Sequence, residues 1–368
     1  MPVCLDRGKG CWPSNRGICW LRILWGLGTI DIFSSRARME LHQDIDSRAA
    51  RLDFSVLICT YNRAPLLVRT IEHVAAQVVP AGTRWEIIVV DNNCADDTCE
   101  VVRRFSSDPR IPALRSVREP QQGIAFARRR AFLESRGELL ACVDDDCLLA
   151  PNWVEQALQF AREHPRAGAF GGRNAIVWET SSNRVAELYG QSLTRQELGD
   201  QPFRMSPTGR SCLVGAGLVV RREAIMTSRW IEDGVLVGRC ADALGAGEDA
   251  EIFFRIRHAG WECWYTPKLE LSHIIPEMRT TLPYLRRLHH GFGKAEAFLR
   301  ALSRVPSPRF SDRLAAAGWS LGELRRVLAR WPRGYLQFAN ERPTWLIRMS
   351  YALGCVQGAI RYLLTGRA

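Results

Sequence analysis

The chain has 368 residues, long enough to bury a full core in two domains or one enlarged domain. With 46% hydrophobic and 24% charged residues, the composition is that of an ordinary globular protein, and disorder is not the expected state. The net charge of +11 lies wholly in residues 276–368, where 16 Lys and Arg face 5 Asp and Glu. This suits an anionic membrane face or simple solubility, and no nucleic-acid-binding signature accompanies it, so nucleic acid is not an expected partner.

Residues 1–50 show no sustained period and read as a poorly structured extension, with 1–38 an overlong start or loose arm before Met39. Ile18–Phe33 comes nearest to a membrane span, but it is short and carries Arg22 and Asp31. From Phe54 strands and helices alternate. Phe54–Thr60 is an apolar run of strand length, and Pro65–Gln77 places Leu66, Val68, Ile71, Val74 and Ala75 at helical spacing. Trp85–Val90 is a second strand ending at Asp91, followed by helices over Thr98–Phe105 and Ile124–Ser135. Glu138–Val143 is a third strand and runs into three aspartates. This order predicts an α/β fold with a parallel sheet and right-handed crossovers.

The second half is less regular. A helix is expected over Pro151–Glu163, strands over Gly168–Val177 and Leu213–Val220, and a helix over Asp249–Gly260 closed by its glycine. After Pro276 the pattern turns helical and basic. Leu346, Met349, Leu353, Val356, Ile360 and Leu363 form one apolar seam beside Arg348 and Arg361. The first expectation is that this seam packs on the preceding domain; pairing with a partner helix and lying in a bilayer interface stay open. The 12 cysteines contain no Cys-x-x-Cys pair and read as free, buried thiols of a cytoplasmic protein rather than as a disulfide framework.

Three polar clusters fall at the carboxyl ends of the three predicted strands: Thr60-Tyr61-Asn62-Arg63, Asp91-Asn92-Asn93 and Asp144-Asp145-Asp146. In an open parallel sheet those ends line the ligand crevice. Three adjacent carboxylates repel one another unless a cation neutralises them, and Mg²⁺ or Mn²⁺ suits oxygen ligands that leave positions for phosphate. A solvated acidic turn is the plainer alternative. Glu248, Asp249 and Glu251 open a helix, where acids also complement the dipole.

The segments Ser55–Arg63, Glu86–Asn92, Gly123–Arg128, Asp144–Asp146 and Gly247–Glu251, in this order, resemble family 2 glycosyltransferases over about two thirds of the chain, roughly 54–290. The resemblance implies the GT-A fold, a Rossmann-like nucleotide-binding half (51–150) merged with an acceptor half (151–275), followed here by the basic helical region 276–368. It implies a nucleotide-sugar donor bound by Thr60, Tyr61, Asn62, Arg63, Asp91, Asn92, Gly123, Arg128, Asp144 and Asp145. It implies a divalent cation on Asp146 with Asp144, and His273 as a further ligand or phosphate contact. Asp249, with Glu248 second, becomes the base that takes the acceptor proton in an inverting transfer. Arg129 stands where the family usually has Asn. The acceptor would be a saccharide, polysaccharide or lipid-linked sugar, with peripheral membrane contact through 276–368 at the inner membrane face. A nucleotidyltransferase and a non-catalytic nucleotide- or sugar-binding relative are the alternatives.

Overall fold

The computed structural model describes residues 51–366 apart from 241–242, 332–334 and 336–338. The expectations for 1–50, including Ile18–Phe33, lie outside the described residues.

The first half follows the predicted alternation: β1 (Leu52–Thr60), α1 (Ala64–Ala75), β2 (Trp85–Asp91), α2 (Thr98–Phe105), β3 (Leu114–Arg118), α3 (Ile124–Glu134) and β4 (Gly137–Asp144). The four strands run parallel in the order β3-β2-β1-β4. Every residue of β2 is buried, as expected of a strand covered on both faces. Helix α1 buries Leu67, Ile71 and Val74, and a proline stands in its first turn, where no hydrogen bond is lost. Strand β3 is absent from the sequence reading for a physical reason. It lies at the sheet edge, its text is Leu-Arg-Ser-Val-Arg, and Val117 is its one buried residue.

Beyond β4 the sheet becomes mixed. Strands β5 (Cys147–Leu149), β6 (Ala167–Trp178), β7 (Phe203–Arg204), β8 (Leu218–Arg221) and β11 (Glu262–Ile275) extend it in the order β4-β8-β6-β11-β5, with β7 beside β11. Strand β8 is antiparallel to both neighbours, and β6 is parallel to β11. The predicted strand over Leu213–Val220 is thus shortened. Gly217 has φ +77°, its N–H donates to the Cys142 carbonyl at 2.8 Å, and a Cβ there would strike Leu271. Gly215–Gly217 is therefore a turn forced by close approach, and strand pairing starts after it.

The remaining helices are α4 (Trp153–Glu163), α5 (Arg184–Leu188), α6 (Arg222–Thr227), α7 (Trp230–Asp233), α8 (Glu248–His258), α9 (Leu282–Leu302), α10 (Phe310–Ala329) and α11 (Arg342–Thr365). A short hairpin of β9 (Arg239–Cys240) and β10 (Ala243–Leu244) precedes α8. The last three helices form a layer joined to the sheet domain. Arg257 of α8 donates to the Ser303 carbonyl at 2.6 Å, beside the end of α9.

Within that layer the apolar seam of α11 packs only in part: Leu346, Met349, Val356 and Leu363 are half-buried. The buried face of α11 is Ile347, Ala352, Gly354, Cys355, Gly358, Ala359 and Tyr362, whereas Leu353 and Ile360 are 50% and 53% exposed. Glycines explain why the small face is the one buried deepest. A Cβ at Gly354 would meet the His290 carbonyl, one at Gly358 the Lys294 carbonyl, and one at Gly293 the Tyr351 carbonyl. Helices α9 and α11 touch backbone to backbone, and contacts that close leave no room for leucine.

Candidate active site

The acidic triplet forms the turn between β4 and β5. The antiparallel β5–β11 pairing sets His273 opposite Cys147 and so beside Asp146, 127 positions away in the sequence. His273 Nε2 lies 2.9 Å from Asp146 Oδ1 and 3.8 Å from Asp144 Oδ2. Arg63 Nη1 reaches Asp145 at 2.6 Å and Asp146 Oδ2 at 2.7 Å, and Arg279 meets Asp146 Oδ2 at 3.2 Å. Thr60 Oγ1 donates to Asp145 Oδ2 at 2.8 Å.

Burial works to raise all three carboxyls, and the neighbours decide the outcome. His273, Arg279 and Arg63 hold Asp146 well below the usual range. For Asp144 the His273 hydrogen bond and Arg128 also win, and it is lowered. Burial prevails at Asp145, which is raised although Arg63 opposes it. Burial would lower His273, but Asp146 and Asp144 push it up to about 9.

Asp146 and His273 fit a divalent cation. Despite the short distance, Asp146 Oδ1 is buried without a hydrogen-bond partner. Two ligands at about 2.1 Å from one ion and at right angles would stand about 3 Å apart, close to the observed separation. Cys147 lies within the same group, but burial raises its thiol well above its ordinary value, so it stays protonated and belongs to the core.

The first two motifs build the edge of this site. Tyr61 is exposed, and Asn62 sits at φ +53° with its side chain accepting from the Ala95 N–H at 2.7 Å. Asn92 ties down the loop before α3. Its Nδ2 donates to the Glu119 and Gln121 carbonyls at 3.0 and 2.7 Å, and its Oδ1 accepts from the Gly123 N–H at 2.8 Å. Asp91 is buried and accepts from the Cys94 N–H at 2.6 Å. Asp91 and Gly123 do not line the cavity described below, whereas Thr60, Tyr61, Asn62, Arg63 and Asn92 do. Arg129 turns away as well: its guanidinium lies 5.2 Å over the Trp230 ring and donates to the Gly234 carbonyl.

Arg128 is the connection between the two acidic groups. It is buried and donates to Glu248 Oε1 at 2.9 Å while lying 3.4 Å from Asp144 Oδ1. Asp144–Asp146, Glu248 and Asp249 therefore border one cleft. Asp249 opens onto it more than Glu248 does, and both its oxygens are oriented by backbone. Oδ2 accepts from Gly215 at 2.9 Å and Oδ1 from Ala250 at 2.8 Å. Gly215 is small for a reason, since a Cβ would meet the Arg128 guanidinium at 2.6 Å. Glu248 is raised to about 7, by burial first and by Asp249, with Arg128 opposing.

Sequence reasoning missed two cations here. Arg279 touches the triplet, and Arg239, on the β9–β10 hairpin, lines the cavity without a hydrogen bond or ion pair among the described residues. The spacing of Arg279 from His273 was legible; the folding back of the hairpin was not. The cleft encloses about 1840 Å³ and extends past Glu248 to Phe292, Trp345 and Tyr351 of the C-terminal helices. That exceeds the roughly 300–1,000 Å³ of an ordinary small-molecule site, so there is room for more than one small ligand.

Comparison with known proteins identifies the family. A profile described as Glycosyl transferase family 2 matches residues 55–227. The succinoglycan biosynthesis protein ExoM of Rhizobium meliloti is 27% identical over 279 residues, covering 74% of this chain and 82% of ExoM. The glycosyltransferase AglE of Haloferax volcanii is 33% identical over 270 residues, covering 73% of this chain and 79% of AglE. The solved mannosyltransferase PcManGT from Pyrobaculum calidifontis, in complex with GDP-Man and Mn²⁺, has a TM-score of 0.54 at 19% identity. It covers 86% of this chain and 88% of its own, a likeness of fold.

Proposed function

This chain belongs to glycosyl transferase family 2, has the GT-A fold and transfers a sugar from a nucleotide-sugar, and from that premise we propose an inverting, cation-assisted transfer to an acceptor hydroxyl. The carrying observation is that the acidic triplet and the Glu248–Asp249 pair border one cleft, joined through Arg128. Family membership removes the nucleotidyltransferase alternative.

Asp146 and His273, with Asp144 beside them, hold the divalent cation, whose chemistry is to offset negative charge on the departing diphosphate. Thr60, Tyr61, Asn62 and Asn92 border the nucleotide, and Asp145, fixed by Thr60 and Arg63, faces its ribose. Arg239 and Arg279 supply positive charge beside the same carboxylates and meet the diphosphate oxygens. Asp249 takes the proton of the acceptor hydroxyl as that hydroxyl oxygen bonds to the anomeric carbon and the bond from the anomeric carbon to the diphosphate oxygen breaks on the opposite side. Glu248, tied to Arg128, balances its charge, while the Gly215 and Ala250 N–H groups orient Asp249. The long extension of the cleft receives a saccharide acceptor, in keeping with the succinoglycan role named for ExoM.

A screen of nucleotide-sugars, read by nucleoside diphosphate released with Mn²⁺, with Mg²⁺ and with chelator, tests this reading. Acceptor-dependent release that needs the cation is expected. Release indifferent to chelator and undiminished in Asp249→Asn would reject it.

A further inference from the structure

Helix α10 is amphipathic in the reverse sense. Phe310, Leu314, Leu321 and Leu328 recur at intervals of four and seven along one side and are 50–60% exposed. Glu323, Arg326 and Arg330 instead line the cleft. Helix α11 repeats the pattern with Leu353, Ile360 and Leu364 exposed. The two helices lie side by side and antiparallel: Trp345 Nε1 donates to the Val327 carbonyl at 3.2 Å, and Arg313 lies 5.3 Å over the Tyr362 ring. Trp319, half a turn round from Phe310 and Leu328, meets Arg300 of α9, and Gly354 and Gly358 touch α9 on the side away from Ile360. Both stripes therefore face outward, away from α9, as one surface two helices wide.

The charge around that surface has one sign. Arg325 and Arg361 flank the stripes in the open, and Trp331, just past the end of α10, is exposed as well. Helix α11 contains no acid; in α10, Asp312 accepts from the Arg309 backbone N–H and Glu323 faces inward. A second copy seated on the same patch would set arginine against arginine, which disfavours a symmetric pair. No helix among the described residues is long and apolar enough to cross a membrane.

We propose that α10 and α11 dock this chain flat on an anionic lipid bilayer, with the leucines at the acyl boundary and the flanking arginines at headgroup phosphates. The inner faces of the same helices wall the cleft, so docking holds the acceptor end of the site beside the lipid surface. That last step rests on the function proposed above; the docking itself does not.

The test is flotation of the full chain with vesicles of phosphatidylcholine alone and of phosphatidylcholine mixed with phosphatidylglycerol. Wild type should float with the mixed vesicles, and Leu321→Glu with Leu328→Glu should cut the bound fraction about tenfold or more. Arg325→Glu with Arg361→Glu should cut it less, and salt should narrow that difference. Thermal unfolding and turnover with a soluble acceptor should match wild type in the leucine variant, because these side chains are exposed and away from the cleft. Wild type that stays unbound, or leucine variants that float equally well, would overturn the proposal. So would a concentration-dependent dimer that the leucine changes dissolve, since it would assign the face to a second copy. Flotation with no turnover on any donor would leave docking standing and count against the enzymatic reading.

Discussion

The four-stranded parallel half and the three-helix C-terminal layer solve opposite packing problems. In the strands, large branched residues go inside and only the polar strand ends emerge, so an apolar run marks the interior reliably. In the helical layer, glycine, alanine and cysteine fill the α9–α11 seam where backbones touch and Leu353, Ile360 and Leu364 of α11 stay outside, while Leu285 and Leu288 of α9 are buried beside Ile347. Apolar character thus tells where the core is only when elements pack at side-chain distance. Where backbones touch, small size is the signal.

Five measurements can break or sharpen this contrast, and the largest effect belongs to the cleft. Asp249→Asn should lower kcat/KM by about 10²–10⁴-fold, the usual contribution of a general base, with donor affinity kept. Steady-state kinetics beside donor titration checks this, and near-wild-type turnover would move the base elsewhere. Ile347→Ala, at a fully buried site of α11, should cost about 2–5 kcal/mol in denaturant unfolding. Gly358→Val forces a side chain into the Lys294 carbonyl and should cost about 1–3 kcal/mol, also seen as a lowered Tm; an unchanged Tm would mean that α9 and α11 can separate freely.

The pH profile gives a smaller effect. Glu248 has its folded-state value raised to about 7 from 4.5, so its ion pair with Arg128 forms as pH rises through neutrality. A limb of kcat/KM rising near pH 7 should vanish in Glu248→Gln. The stability contribution has the reverse sign: it is full below about 4.5, where folded and unfolded chains are both protonated, and is lost as pH rises through 7. The smallest effect should come from Ile360→Ser, within about 0.5 kcal/mol of wild type despite removing a large apolar group. A loss as large as that at Ile347 would erase the contrast.

What was legible follows the same line. Strands β1, β2 and β4 and the clusters at their ends could be read because burial on both faces writes a continuous apolar text, interrupted where the crevice begins. Strand β3 could not, since one buried valine at an edge writes nothing distinctive. His273 was singled out through resemblance, but its place beside Asp146 is set by the β5–β11 register, a pairing that no local pattern announces. Arg239 depends on a hairpin of two-residue strands and escaped for that reason. The turn at Gly215–Gly217 was read as part of a strand because its flanks are apolar, while its conformation answers to Leu271 and Arg128, distant in sequence.

The position of β11 has a consequence for biogenesis. It is the last strand of the sheet to be synthesised, yet it lies between β6 and β5 rather than at a margin. A nascent chain that has just released β8 can pair its first strands, but the gap beside β6 stays open until residues 262–275 leave the ribosome. Only then does His273 join Asp146. The pairing of Asp146 with His273 is therefore completed only at the end of translation of the sheet, and a chain cut short of β11 lacks it.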